Sequence, residues 1–371
     1  MAVYLGNNPV SVYNGGQPII VESGQYAWER YEVAPDPCLS FVGNEEFTLK
    51  TNNTAINWDG ILEYSTDAIT WSTWNGTEIS SSGNKLYLRG TGNSKITDYI
   101  TNESPGARAF VFTGTDTLRI SCEGNIEYLL DYETIISGNH PVMSNQCYSY
   151  MFYGCTSLTT APELPAITLS DNCYRGMFYN CANLTTAPQL PAATLAYACY
   201  QYMFYNCTSL TITPSLPATT LTDGCYRGMF AGCTSLTTAP ELPANTLTSS
   251  CYNIMFAKCT SLTTAPQLPA TTLAYGCYSS MFQDCTNLVA IPQLPATTLA
   301  ESCYYQMFIN CSNIRLSETQ TGDYQTVYRI PTSGTGTKNS NSLSGTFSGT
   351  GGTFRGDPTI NTTYYTSNTI V

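Results

Sequence analysis

Residues 147–169 read CYSYMFYGCTSLTTAPELPAITL. The phrase C-Y-x-x-M-F-x-x-C, followed by a Thr-rich stretch and P-x-L-P-A, returns every 26 residues. Its first cysteine recurs as Cys147, Cys173, Cys199, Cys225, Cys251, Cys277 and Cys303. Its second recurs as Cys155, Cys181, Cys207, Cys233, Cys259, Cys285 and Cys311. A fixed period of this length marks a stacked array, in which each repeat buries its apolar side against its neighbours.

Within one repeat, Cys147, Met151 and Cys155 stand at i, i+4 and i+8, with Tyr148 and Phe152 beside them. This is one apolar stripe at helical spacing, so Cys147–Cys155 is expected to form a short helix. Ser149, Tyr150, Tyr153 and Gly154 are then expected to face water. The copies agree with such a face: Cys, Tyr, Met, Phe and Cys are the same in all seven, while Arg175-Gly176, Gln201-Tyr202 and Asn253-Ile254 differ. Leu158-Thr159-Thr160-Ala161 favours a short strand, which Pro162 ends because it has no N–H to donate. The Pro-x-Leu-Pro segment is extended, and Leu164 and Leu169 are expected to turn back to the core. Helix, strand and extended turn make a leucine-rich-repeat-like coil.

The motif M-F-x-x-C-T-S-L resembles the BspA-type leucine-rich repeats of bacterial surface proteins and related bacterial and phage proteins. The resemblance covers about Cys147–Ile314. It implies adhesion or host-surface interaction without one defined ligand. The chain departs from it where Ala-Pro follows Leu-Thr-Thr, so the strand is expected to be short.

The expected fold class is α+β: an N-terminal all-β sandwich-like domain, then a solenoid of about seven 26-residue repeats with a C-terminal cap. Residues 1–35 are Gly/Asn/Pro-rich and read as an arm or attachment segment; they resemble the openings of structural proteins in phages of gut Firmicutes. Residues 36–135 carry the alternating runs Phe47-Thr48-Leu49, Leu86-Tyr87-Leu88, Phe110-Val111-Phe112 and Leu118–Cys122, separated by turn signals such as Asn75-Gly76 and Ser82-Gly83-Asn84. Trp58, Trp71 and Trp74 of this domain are expected in its core. Residues 136–315 are the repeats, preceded by Ile126–Leu130 as a cap. In 316–371, Leu343–Thr350 echoes the repeat with its sulfur residues replaced and reads as a capping segment.

The chain has 371 residues, of which 11% are charged, and a net charge of −12. Phosphate binding needs clustered Lys and Arg, and the 14 basic residues here are scattered. Nucleic acid and anionic membrane are therefore not expected partners. No run reaches the roughly 18 apolar residues of a membrane span, and the opening MAVYLGNNP lacks the basic and apolar regions of a secretory signal. Assembly into a particle released by lysis is one route out of the cell for such a chain.

The cysteine columns read as reduced and buried, because a free Cys packs as a small hydrophobe. Metal is not expected: structural zinc wants close pairs such as C-x2-4-C, whereas the spacing here is C-x7-C and the single His is His140. No cofactor is expected, nor catalysis. His140 sits in a turn-like Gly138-Asn139-His140-Pro141 with no nucleophile motif beside it. Glycosidases hold two carboxyls ~5–9.5 Å apart. Glu163 and Glu241 would lie ~15 Å apart, and Asp171 and Asp223 ~10 Å. Cys38 and Cys122 lie outside the array.

The outward column Tyr153, Tyr179, Tyr205 is the candidate ligand surface, with Tyr197 and Tyr275 as further outward positions. Exposed tyrosines in a row can stack on sugar faces or anchor a protein. The resulting expectation is a non-enzymatic phage virion protein, tail/fibre-like and receptor-binding or capsid-decorating. Its N-terminal part would join other virion proteins, and its repeats would meet a host surface glycan or protein; the sequence does not give the oligomeric state, and a homo-oligomer rests only on analogy with fibres, which are often trimers. The alternatives are a bacterial cell-surface adhesin and a glycan depolymerase.

Overall fold

The computed structural model describes residues 37–52, 58–97, 109–289, 291–292, 294–296, 298–314 and 341–350, together with the backbone of four short strands near the N-terminus. The chain divides into two compact units, Met1–Pro37 and Cys38–Val371. In the first, β1 (Val3–Leu5) pairs antiparallel with β2 (Asn8–Val10), and β3 (Tyr13–Asn14) with β4 (Gln17–Pro18). The expected attachment role falls on a segment of which little else is described.

The second unit opens β-rich. Its strands are β5 (Leu39–Gly43), β6 (Thr48–Thr51), β7 (Ile61–Ser65), β8 (Ser72–Thr73), β9 (Ile79–Ser80), β10 (Lys85–Thr91), β11 (Phe110–Thr113) and β12 (Ile120–Glu123). One more, β13 (Leu158–Thr160), comes from the first repeat. They form a six-stranded sheet ordered β13-β12-β5-β10-β7-β8 and a three-stranded sheet ordered β11-β6-β9. Period-2 alternation sets the faces: Leu39 and Phe41 of β5 and Leu86 and Leu88 of β10 are fully buried. Trp74 is buried and donates from Nε1 to Thr77 O at 2.7 Å. Trp58 is only partly buried, and Trp71 lies under the Arg89 guanidinium, 4.1 Å from ring centroid to Cζ.

The single α-helix among the described residues is α1 (Tyr128–Ile136), interrupted at Asp131, whose backbone is extended. Asp131 Oδ1 accepts the N–H groups of Glu133 and Thr134, capping the second part. The helix reaches the sheet through a close approach at Gly90, where any Cβ would meet Leu129 O.

The repeats do not contain the helix expected over Cys147–Cys155. Met151 N–H donates to Tyr148 O within the repeat, at 3.2 Å, but Tyr150 N–H donates to Arg175 O in the next coil, at 2.8 Å. Odd and even residues alternate in this way along the whole segment. Tyr148, Tyr150, Phe152 and Gly154 all donate one coil onward. The turns 148–151 and 152–155 carry a positive φ at their third residue, 56° at Tyr150 and 72° at Gly154, as type II turns require. The segment is thus a ribbon of successive β-turns. Its conformational period is four residues, so it places i, i+4 and i+8 on one side as a helix would. The apolar stripe could not separate the two, and the α part of the expected α+β class is reduced to α1. The expected outward face is also corrected: Ser149 and Tyr150 are buried, Tyr153 is half-buried and Gly154 exposed.

The ribbons stack in register. Tyr148 and Tyr174 rings lie 5.6 Å apart and Phe152 and Phe178 rings 5.5 Å apart, each pair nearly parallel, and both columns continue to Tyr304 and Phe308. Leu164 is buried and Leu169 packs against the same core. After β13, the Thr-rich stretches are joined, among the described residues, by single parallel bridges such as Thr160 to Thr186 and Thr186 to Ile212. The Ala-Pro that follows removes the donor needed to lengthen them.

The β-rich region closes one end of this stack by supplying what a preceding coil would supply. Phe110 N–H donates to Met151 O at 2.8 Å, and the Phe110 ring meets Phe152 edge-on at 5.9 Å. At the other end, residues 341–350 repeat the ribbon pattern. Ser342, Ser344, Thr346 and Ser348 carbonyls accept from Tyr304, Gln306, Phe308 and Asn310, and Phe347 stacks on Phe308 at 5.9 Å. Between Ile314 and Asn341 the chain lies outside the described residues.

Candidate functional site

All fourteen repeat cysteines are buried free thiols. The second column has a specific role. Cys181 Sγ donates to Phe152 O at 3.0 Å, and the same bond recurs from Cys207 to Phe178, Cys233 to Phe204, Cys259 to Phe230, Cys285 to Phe256 and Cys311 to Phe282. At the stack's beginning, Cys155 makes it to Phe110 O, again at 3.0 Å. Burial drives the thiols away from ionisation: Cys303 is pushed up to about 11, and Cys225, Cys277 and Cys311 to about 12. Protonated, water-excluded thiols are poor nucleophiles and poor metal ligands.

The positive-φ position of the ribbon governs the next layer. It is occupied in turn by Tyr150, Gly176, Tyr202, Gly228 and Ile254. A large side chain here lies across the next coil. A Cβ on Gly176 would stand 2.3 Å from the Tyr150 ring, and one on Gly228 2.4 Å from the Tyr202 ring. The Tyr-Gly alternation is therefore a packing pattern between coils, readable from the sequence once the ribbon is known.

The tyrosine row is assembled on that layer. Tyr153 and Tyr179 stack at 5.2 Å, Tyr179 and Tyr205 at 4.5 Å. Tyr150 abuts Tyr153 and Tyr202 abuts Tyr205, edge to face. Arg227 closes the group, its Cζ 5.9 Å from the Tyr202 ring centroid. Burial, then the neighbouring phenols of Tyr205 and Tyr153, push the Tyr179 hydroxyl up to about 12. Tyr150, Tyr202 and Arg227 were not singled out by the sequence. Tyr197 and Tyr275 are 55% exposed, and no ring pair joins either to this row among the described residues.

This geometry changes what the row can do. Rings stacked at these distances cover one another's faces, so a sugar cannot lie on the interior ring, Tyr179. The ladder ends at buried Ala231 in one direction. In the other it ends at Tyr153, which lines a cleft of about 340 Å³ between the first ribbon and the segment from Phe110 to Arg119.

Two acidic residues of the repeats, Asp171 and Asp223, serve the stack. Asp171 Oδ1 accepts Tyr197 N–H and Asp223 Oδ1 accepts Ser249 N–H, both at 3.0 Å, so each carboxylate ties one coil to the next. His140 Nδ1 lies 2.7 Å from Glu127 Oε2, and that Glu is 1% exposed. Among the described residues no three His, Cys, Asp or Glu converge as metal ligands, and no helix is long and apolar enough to cross a membrane.

In-register ribbons and constant buried columns, with variation confined to the positions between them, define a repeat protein of the surface-binding kind. The family model described as BspA type Leucine rich repeat region matches residues 127–238 and 201–325, in 6 copies. These matches span more than half of the chain, which belongs to this family. No curated protein and no solved structure matches it.

Proposed function

We propose that this chain is a non-enzymatic virion protein, tail/fibre-like and receptor-binding or capsid-decorating, assembled in the host cytoplasm. In this reading the repeats wind as a solenoid of about seven 26-residue coils that displays a surface to a host glycan or protein. The compact unit Met1–Pro37 joins it to other virion proteins. The carrying observation is the division of labour within each repeat: buried Cys, Tyr, Met and Phe are constant while the Tyr153 column, half-buried at Tyr153, Tyr179 and Tyr205, changes to buried Ala231 and Ala257 and then to half-buried Gln283 and Ile309. A scaffold that holds its core and varies its face is built for recognition. The carboxylates that tie coil to coil support a role without catalysis, and the scattered Lys and Arg support one without nucleic acid.

The second reading is a bacterial cell-surface adhesin, favoured by the repeat class itself. Mass spectrometry of purified phage particles and of cell envelopes from the same cultures separates the two. Recovery with particles is the expected result. Presence on envelopes together with absence from particles overturns the virion reading and leaves the adhesin.

A further inference from the structure

We propose that the cleft at the start of the repeat stack is a binding site for a neutral saccharide, with the Tyr153 ring as its aromatic wall. This rests on the reading of the protein as a surface-binding one, and it moves the contact from the tyrosine row as a whole to one end of it. Tyr179 covers one face of Tyr153 at 5.2 Å. No ring is stacked on the opposite face among the described residues, and Tyr153 lines the cleft. A sugar ring placed there meets an aromatic face, and its hydroxyls meet a polar lining.

That lining is rich in hydrogen-bonding groups of both kinds. Arg119, Asp116, Thr156 and Asn183 border the cleft with Tyr153. Arg119 uses one N–H on Leu118 O and enters no ion pair among the described residues, so most of its five donors remain for a ligand. Asn183 spends its Nδ2 on Thr156 O at 2.7 Å, which fixes the amide and leaves its carbonyl oxygen as an acceptor. Asp116 adds a carboxylate acceptor on the same lining.

The charges select the ligand class. Arg119 and Asp116 on the wall offset each other, and the Glu45 carboxylate behind Thr115 adds negative charge, so an anionic ligand is disfavoured while no cluster of carboxylates stands on the wall itself to hold a cation. An uncharged polyhydroxylated molecule can use both Arg119 and Asp116. The volume is at the small end of the ~300–1,000 Å³ range of ligand pockets, which suits a small saccharide rather than a folded partner. The turn that carries Asp116 is held in place beforehand: Glu45 Oε1 accepts Thr115 N–H at 3.0 Å, and Asn44 Oδ1 accepts Arg119 N–H at 2.7 Å. Such preorganisation lowers the cost of binding.

Saturation-transfer NMR on the full chain, with lactose, maltose, cellobiose and chitobiose as probes, tests this site. At least one disaccharide is expected to receive saturation. Its affinity is expected to fall about tenfold or more in Tyr153→Ala and in Arg119→Ala, and to stay within about twofold in Tyr153→Phe and Tyr205→Ala. Tyr153→Phe keeps the ring, so it separates loss of the wall from loss of the fold; Arg119→Ala tests the site from a position outside the tyrosine stack. No transfer to any of the four sugars by the unmodified protein, or binding unchanged in Tyr153→Ala, overturns the proposal. Recovery of the protein from virions is read independently, so an empty cleft on a particle-bound protein removes this inference and leaves the virion reading standing.

Discussion

The thiol of Cys181 donates to the carbonyl oxygen of Phe152 in the preceding coil, at 3.0 Å, while Cys155 N–H donates to that same oxygen at 3.1 Å. One carbonyl thereby joins a turn within its own repeat and a side chain of the next. Every 26 residues the arrangement returns, which gives the cysteine periodicity a reason beyond small size. A buried carbonyl has two lone pairs, and the S–H fills the second.

Cys181→Ala removes both the donor and part of the packed volume. The expected cost is roughly 1–2 kcal/mol, measured as a shift in the urea midpoint at constant m-value. Thr237→Ala, on the exposed side of the array, is expected to change stability by less than about 0.5 kcal/mol. Equal effects at the two positions would remove the special role of the thiol column.

Alkaline pH should weaken the fold steeply. In the unfolded chain a thiol titrates near ~8.5, whereas burial holds Cys303 near 11, Cys225, Cys277 and Cys311 near 12, and the others also above the usual range. Above the unfolded value, the unfolded state has lost protons that the native state keeps, so stability falls as pH rises. The stabilising contribution is complete below about pH 8.5 and is lost progressively toward the folded values, on the order of 1.4 kcal/mol per pH unit for each thiol. Urea titrations at pH 7 and pH 10 in reductant should show a large drop in midpoint. A flat profile would contradict the buried-thiol reading.

Thiol counting addresses the redox state. Unfolded in guanidinium without reductant, the fourteen repeat cysteines are expected to titrate as free thiols. The folded protein should react slowly with the same reagent, because the thiolate is the reactive form. Paired cysteines in the unfolded chain would exclude the observed columns.

Gly176→Ala places a methyl 2.3 Å from the Tyr150 ring at a φ of +58°. Steric and backbone terms together are expected to cost about 2–4 kcal/mol. Combining it with Tyr150→Ala should be less damaging than adding the two single effects, because the clash disappears while the backbone term stays. Simple additivity in thermal or urea unfolding would mean that the two coils do not meet here.

His140→Ala leaves the buried Glu127 carboxyl without the imidazole that lies 2.7 Å from it. A loss of roughly 1–3 kcal/mol is expected from the unpaired buried group, and Glu127→Gln in the same background should recover part of it, because an amide is less costly than a carboxyl to leave buried without the imidazole. An unchanged midpoint in His140→Ala would show that water serves the carboxylate as well as the imidazole does. The sequence placed His140 in a solvated turn; the chain reversal after α1 returns it to Glu127, a pairing over thirteen residues that no local pattern announces.

The sequence by itself determined the period, the membership of the buried columns and the family. Those follow from composition at fixed spacing: a residue that must meet its own copy one coil away has to recur at the coil length. Tertiary structure decided the conformation of each repeat. Helix and turn ribbon share a four-residue apolar spacing, and only the hydrogen bonds from Tyr150 to Arg175 and from Phe152 to Met177 distinguish them. It also decided which tyrosines offer a free face. The repeated letters put Tyr153, Tyr179 and Tyr205 in one column, but ring stacking along that column covers the interior ring and leaves Tyr153 beside a cleft whose other wall comes from Phe110–Arg119. That wall lies some forty residues away in the chain, outside the repeat, where periodicity carries no information.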